Sequence, residues 1–394
     1  MERVCKHDCL MDNALLQKFQ QILERPEHSI SKLGLLSLYY CSKYPYSAGE
    51  IGVLSNGERS FFTGLKTCRN PWYCPACGAV LAKKQAIKFT KIIQKFCESD
   101  IVPYMVTFTI PHVKSMSAKT VLELLTKIYR KFSTTLYTKN WSLTQAMGYK
   151  ARITTSECTY TKNGFHFHNH CLLFCLKDRT EYLLKWVEKA QAYWNKLIQE
   201  FYAKSNLSEY ATIKKDAVYL SCDANGAPRI ISDGTYVTDA WSGSDELTMQ
   251  YKKTHREDSR HPMDLLRSDN PEDWKIFIEY ALATRYKKKY KLSNHLLELP
   301  ELQGWENIKL EHDEEIQQKK TETVCVISLQ NWYDILEAEI IYQEKIRLQI
   351  LKLALQLDFD LIANYLQKYG IFDIRKPNEW EIEKTKKLFD KKIA

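Results

Sequence analysis

Three histidines alternate along one short stretch, His166-Phe167-His168-Asn169-His170, with Glu157 a few residues upstream. Asn163-Gly164 lies between them, a strong signal for a tight hairpin turn. In a strand, side chains i, i+2 and i+4 share a face, so the three imidazoles point the same way. A loop of Lys162-Asn163 sets Glu157 opposite His168, and a loop of Asn163-Gly164 sets it opposite His170. Both registers keep the carboxylate on the histidine face. A lone histidine on a strand is usually a polar surface or core residue. Three at period two, facing a carboxylate, make a donor set for a metal ion: Glu157 with two or three of His166, His168 and His170. The opposite face, Phe165, Phe167, Asn169, Cys171 and Leu173, reads mostly as core.

Cys68, Cys74 and Cys77 form a second short-range pattern. In a reducing compartment, such spacing suggests structural zinc, whose preferred ligand is thiolate. Cys41 is the best fourth ligand, with His7 and Cys97 as alternatives. A closed site of this kind folds a module rather than catalysing a reaction.

The 394 residues exceed one average domain, and the formal charge of +9 leans towards a polyanionic partner, most simply nucleic acid. Tyrosine is abundant, with 24 residues, and aromatic faces stack on unpaired bases. Twelve cysteines, no signal peptide and no membrane-length apolar run predict a cytoplasmic protein with reduced thiols.

Along the chain, residues 1–33 read as a polar helical segment and 34–80 as the cysteine module. Leu81 to Phe96 predicts a helix with Lys84, Lys88, Lys91 and Lys95 in one stripe. Val102–Ile110 predicts a strand, Ala118–Tyr137 a helix, and Thr180–Tyr202 a second long helix. A strand near Val218 and a short element around Ile230 follow. The fold expected is α+β, an antiparallel sheet with helices on one face over 81–300. Residues 301–325 read as a charged linker and 326–394 as a helical C-terminal domain for DNA contact or self-association. There, Gly370 stops one helix and Asn378 caps the next.

No Ser-His-Asp elbow, phosphate loop or dinucleotide motif is present. Arg285-Tyr286-Lys287-Lys288-Lys289-Tyr290-Lys291 interleaves charge with aromatics, as single-strand grooves do, so Arg285, Lys287 and Lys288 join the lysine stripe as candidate DNA contacts.

Taken in order, these pieces resemble the rolling-circle replication initiators of bacterial plasmids, within the HUH endonuclease superfamily. Gly64-Leu65-Lys66-Thr67-Cys68 and Trp72-Tyr73-Cys74-Pro75-Ala76-Cys77 look like that family's cysteine module. Met105-Val106-Thr107-Phe108-Thr109-Ile110-Pro111-His112 looks like its first motif, and Glu157 through His170 like its metal-binding second. Tyr236, followed by Trp241, is similar to its third. The resemblance covers about residues 38 to 285.

It implies a sequence-specific DNA nickase that cuts and rejoins one strand at a plasmid origin. Glu157, His168 and His170 would hold Mg²⁺ or Mn²⁺, Tyr236 would form a 5′-phosphotyrosine, and Asp233 would activate a terminating water. The partners implied are single-stranded or hairpin origin DNA and the host helicase and polymerase, with a homodimer compatible and no membrane. Two positions depart from the family pattern. Asn169 replaces a hydrophobic residue, and Asp239 stands where the family tends to place a lysine, a role Lys252 or Lys253 could fill. The other readings are a related transposase or relaxase, a metal hydrolase without covalent chemistry, and a non-catalytic zinc-stapled DNA-binding protein.

Overall fold

Two stretches far apart in the chain, Met1–Val80 and Glu306–Ala394, fold together as one unit, and Leu81–Trp305 forms another. The computed structural model describes residues 5–47, 49–136, 142–212, 215–223, 225–230, 259–302 and 321–383. Both units are mixed α+β with antiparallel sheets.

In the first unit, α1 (Cys5–Glu24) precedes β1 (Ile51–Ser55) and β2 (Ser60–Phe62). From the C-terminal part come β9 (Glu322–Ile327), α6 (Leu329–Ile341), α7 (Ile346–Ala354), α8 (Phe359–Gln367) and β10 (Ile374–Arg375). The sheet order is β10-β9-β1-β2, every pair antiparallel. This differs from the five segments expected from sequence. The charged linker ends in a strand, because Val324-Cys325-Val326-Ile327 is a β-branched run that pairs with β1 and buries its side chains. The helical C-terminal segment therefore completes a sheet begun by the N-terminal one. Trp332 Nε1 donates to Lys43 O at 2.8 Å, and Arg347, paired with Glu339 at 2.8 Å, donates to Ser42 O at 3.0 Å. Gly370 ends α8 with φ +75°, and Asn378 accepts from Glu381 N at 2.9 Å.

In the second unit, β3 (Ile101–Thr109), β4 (Ala151–Thr161), β5 (Gly164–Leu176), β6 (Val218–Leu220) and β7 (Ser259–Arg260) are ordered β6-β3-β5-β4-β7. β8 (Tyr290–Leu292) also pairs with β4. The helices are α2 (Pro75–Cys97, which begins in the first unit's sequence), α3 (Ala118–Leu136), α4 (Thr180–Lys204) and α5 (Pro271–Thr284).

One face of this sheet packs on α3, α4 and α5. Phe108 lies 5.4 Å from the Tyr129 ring, 4.9 Å from Phe132 and 5.1 Å from Trp194, and Phe167 stacks on Tyr280. Burying each such side chain is worth about 1.5–3 kcal/mol. Trp194 Nε1 bonds Thr109 O at 2.7 Å, and Gln191 accepts from Val218 N at 2.7 Å, which ties the edge strand β6 to α4.

The expectation of helices on one face alone is corrected. α2 covers part of the opposite face, where Phe89, Ile92, Ile93 and Phe96 pack on Met105, Ile153, Leu172 and Phe174. The cause lies in β5, whose even positions change from histidines at 166–170 to Leu172 and Phe174. One end of that face is polar and the other needs an apolar cover.

Candidate metal centre

The hairpin that builds the site turns through Lys162-Asn163, since Thr161 pairs with Gly164. Of these turn residues only Gly164 has positive φ, +89°, as in a type I turn followed by a left-handed glycine. A Cβ there would meet Lys114 Cα at 3.0 Å. This register puts Glu157 opposite His168.

Three donor atoms converge. Glu157 Oε2 lies 3.0 Å from His168 Nε2 and 2.9 Å from His170 Nε2, and the two nitrogens are 3.0 Å apart. With ligand bonds of about 2.1 Å, donors at right angles stand ~3.0 Å apart and tetrahedral ones about 3.4 Å. The triangle therefore fits one face of an octahedron, the two-histidine, one-carboxylate arrangement that leaves other positions open. Glu157 is 2% exposed and His170 8%, so a cation held among these three donors would offset the cost of burying the carboxylate. His170 is further oriented by Thr107 Oγ1, 2.9 Å from its Nδ1.

His166 is not part of this group. Its ring lies 5.0 Å from the His168 ring but stacks on His112 at 4.9 Å and 13°. Asn169 faces the helix-covered side, where Ser156 Oγ donates to its Oδ1 at 2.6 Å. Tyr236, Asp233, Trp241, Asp239, Lys252 and Lys253 lie outside the described residues.

Cys41, Cys68, Cys74 and Cys77 come together in the first unit, with sulfurs within 4.8 Å of one another. Cys41 Sγ is 3.5 Å from Cys77 Sγ and 3.8 Å from Cys74 Sγ, matching the ~3.8 Å edge of a tetrahedron with Zn–S bonds of about 2.3 Å. Cys97 is outside the group, and the side chain of His7 is not among those described. Hydrogen bonds from Cys41, then Cys68 and Cys74, push the Cys77 thiol down, while burial pushes Cys74 up. Four sulfurs this close could hold one metal ion, which would bind them as thiolates. Asn70 shapes the loop by accepting from the backbone N–H of Trp72 and Tyr73 at 2.8 and 3.1 Å.

The two cationic stretches of the second unit meet. Phe89 of α2 packs on Tyr290 at 6.1 Å, which sets the helix carrying Lys84, Lys88, Lys91 and Lys95 beside the segment from Arg285. Lys84 and Lys288 are exposed, whereas Lys95 pairs with Glu98 at 2.9 Å. Arg285 lies 4.3 Å over the Tyr286 ring. Burial, then the charges of Lys287 and Lys288, push Lys291 down.

Thr107 and Ser156 had no local signal in the sequence. Each acts through a partner on another strand, and strand register is a tertiary property. No protein-family model, no curated protein and no solved structure matches the chain. No helix among the described residues is long and apolar enough to cross a membrane.

Proposed function

We propose that the second unit is an HUH-type endonuclease domain that nicks and rejoins one DNA strand, as rolling-circle plasmid initiators do. The observation that carries this reading is the right-angled triad of Glu157, His168 and His170 on one face of an antiparallel sheet. The cationic residues on α2 and around Arg285 support a polyanionic substrate.

Glu157, His168 and His170 would hold one Mg²⁺ or Mn²⁺, and Cys41, Cys68, Cys74 and Cys77 one Zn²⁺. When bound, the divalent ion supplies Lewis-acid polarisation of a phosphate oxygen. Thr107 fixes the His170 ring, leaving Nε2 for the ligand side. Tyr236 then forms the new O–P bond, the P–O3′ bond breaks, and the phenol proton ends on the 3′ oxygen. The phosphodiester energy is retained in the phosphotyrosine, so rejoining needs no nucleotide cofactor. The free 3′-OH would prime the host polymerase. Asp233 would deliver the water that ends the cycle.

The test is to mix the full chain with single-stranded DNA carrying its candidate origin, in Mn²⁺ or EDTA, and assay denaturation-resistant protein–DNA adducts. A metal-dependent adduct that disappears in Tyr236→Phe is expected. Cleavage without an adduct would shift the reading to water-based hydrolysis. Binding without cleavage would leave a zinc-stapled DNA-binding protein.

A further inference from the structure

Register aligns five residues across the face that bears the triad: Tyr290 on β8, Thr155 on β4, His170 on β5, Thr107 on β3 and Tyr219 on β6. Burial along this row is one-sided. Thr155 is fully buried, and Tyr290 packs against Phe89 of α2 with its hydroxyl buried. Past His170 the row opens: Thr107 is half-buried and Tyr219 is 54% exposed. Among the described residues, β6 is the last strand on that side of the sheet. Along this row, the open side of His170 is therefore the one over β3 and β6, towards Tyr219.

An exposed tyrosine on an edge strand is by itself unremarkable, since strands favour aromatics. What β-propensity leaves unexplained is its place beside the open approach to a buried carboxylate–imidazole site. Nor does its side chain make a hydrogen bond or ring contact with another described residue. Tyr219 is two strand spacings from His170, about 10 Å. With a phosphate at the triad, that spacing suits the base of a neighbouring nucleotide.

We propose that Tyr219 is a stacking platform for a base of the single strand whose phosphate meets Glu157, His168 and His170. This rests on the nickase reading and adds to it the side from which the strand enters and the residue that positions it. Stacking on an aromatic face tolerates any base, so the contribution is to grip rather than to sequence choice.

The test uses the full chain in Mn²⁺ with an oligo(dT) strand carrying one 2-aminopurine, followed by fluorescence. Wild type should quench the probe on binding. Tyr219→Ala should bind about tenfold more weakly and lose the quench, and Tyr219→Phe should restore both. Equal affinity and quenching in Tyr219→Ala, with wild type forming the origin adduct, would overturn the stacking role and leave the nickase reading intact. Binding retained in Tyr219→Phe with loss of the origin adduct would also overturn it, in favour of chemistry at the hydroxyl. If wild type binds Mn²⁺ but neither this strand nor the candidate origin, both readings fall together.

Discussion

Thr107 Oγ1 lies 2.9 Å from Nδ1 of His170, joining β3 to the strand that carries the triad. With an ion held at His170 Nε2, the ring proton would sit on Nδ1 and be donated to Thr107 Oγ1. That bond would fix tautomer and ring angle without touching the ion. Thr107→Val keeps the shape and removes the acceptor. Mn²⁺ affinity should fall roughly tenfold, against near-complete loss in His170→Ala. Isothermal titration calorimetry of the folded variants separates the two, and an unchanged Thr107→Val affinity would contradict the orienting role.

Arg260 on β7 clasps Asp273 of α5 with two bonds of 2.9 and 2.8 Å. Hydrogen bonds from Arg260 hold the Asp273 carboxyl below its ordinary range. A carboxyl depressed in the fold contributes stability that is complete above its unfolded pKa and lost as pH falls through the folded one. Asp273→Asn should therefore cost about 1 kcal/mol at neutral pH, modest because the arginine is partly exposed. The gap to wild type should start to close below pH ~4. Urea unfolding of both proteins across that range checks the sign, and a gap that widened in acid would refute it.

The hairpin was legible because turn chemistry and alternation are local: Glu157, His168 and His170 are set by a two-residue loop. The cysteine group was legible for the same reason, with Cys68, Cys74 and Cys77 close in sequence. What escaped was non-local. β9 pairs with β1 across some 270 residues, and the short run Val324–Ile327 beside charged sequence carries no sign of its partner. The helix covering the histidine face did leave a trace. Leu172 and Phe174 continue the histidine positions as apolar residues, so that face needed a cover at one end. The tyrosine expected to act as nucleophile, Tyr236, lies outside the described residues.

Zinc should be present at one ion per chain, by elemental analysis of protein purified without chelator. Cys74, fully buried like Cys41, is a sharp probe. Cys74→Ser should lose the ion and expose residues 1–80 and 306–394 to protease, since ligand loss removes folding free energy directly. The triad in the other unit should then retain Mn²⁺ binding. Full zinc content in Cys74→Ser would exclude the tetrahedral assignment.

Arg347 is 4% exposed, paired with Glu339 and bonded to Ser42 O. Removing one partner of a buried pair leaves the other charge uncompensated, at a cost of about 3–5 kcal/mol. Arg347→Ala should therefore destabilise the unit that joins the two ends of the chain. Hydrogen exchange should show the loss in β1 and β9 first. Protection lost in β3 to β5 instead would contradict the division into two units.

Asn169 sits between two metal-ligand candidates but faces the helix-covered side, with its Oδ1 accepting from Ser156 Oγ at 2.6 Å. Replacing Asn169 alone by Val leaves the Ser156 hydroxyl buried without its acceptor, which should cost about 1–3 kcal/mol. Removing both partners in Ser156→Ala/Asn169→Val should recover most of that loss, because no polar group is then left unsatisfied. Urea denaturation of wild type, both single variants and the double variant gives the coupling directly. Additive losses would show that the bond is not what makes an asparagine acceptable here. Since Asn169 points away from His168 and His170, Mn²⁺ affinity should stay constant through the series. A fall in the double variant alone would mean that the Ser156–Asn169 bond also fixes the β5 backbone on which both histidines are mounted.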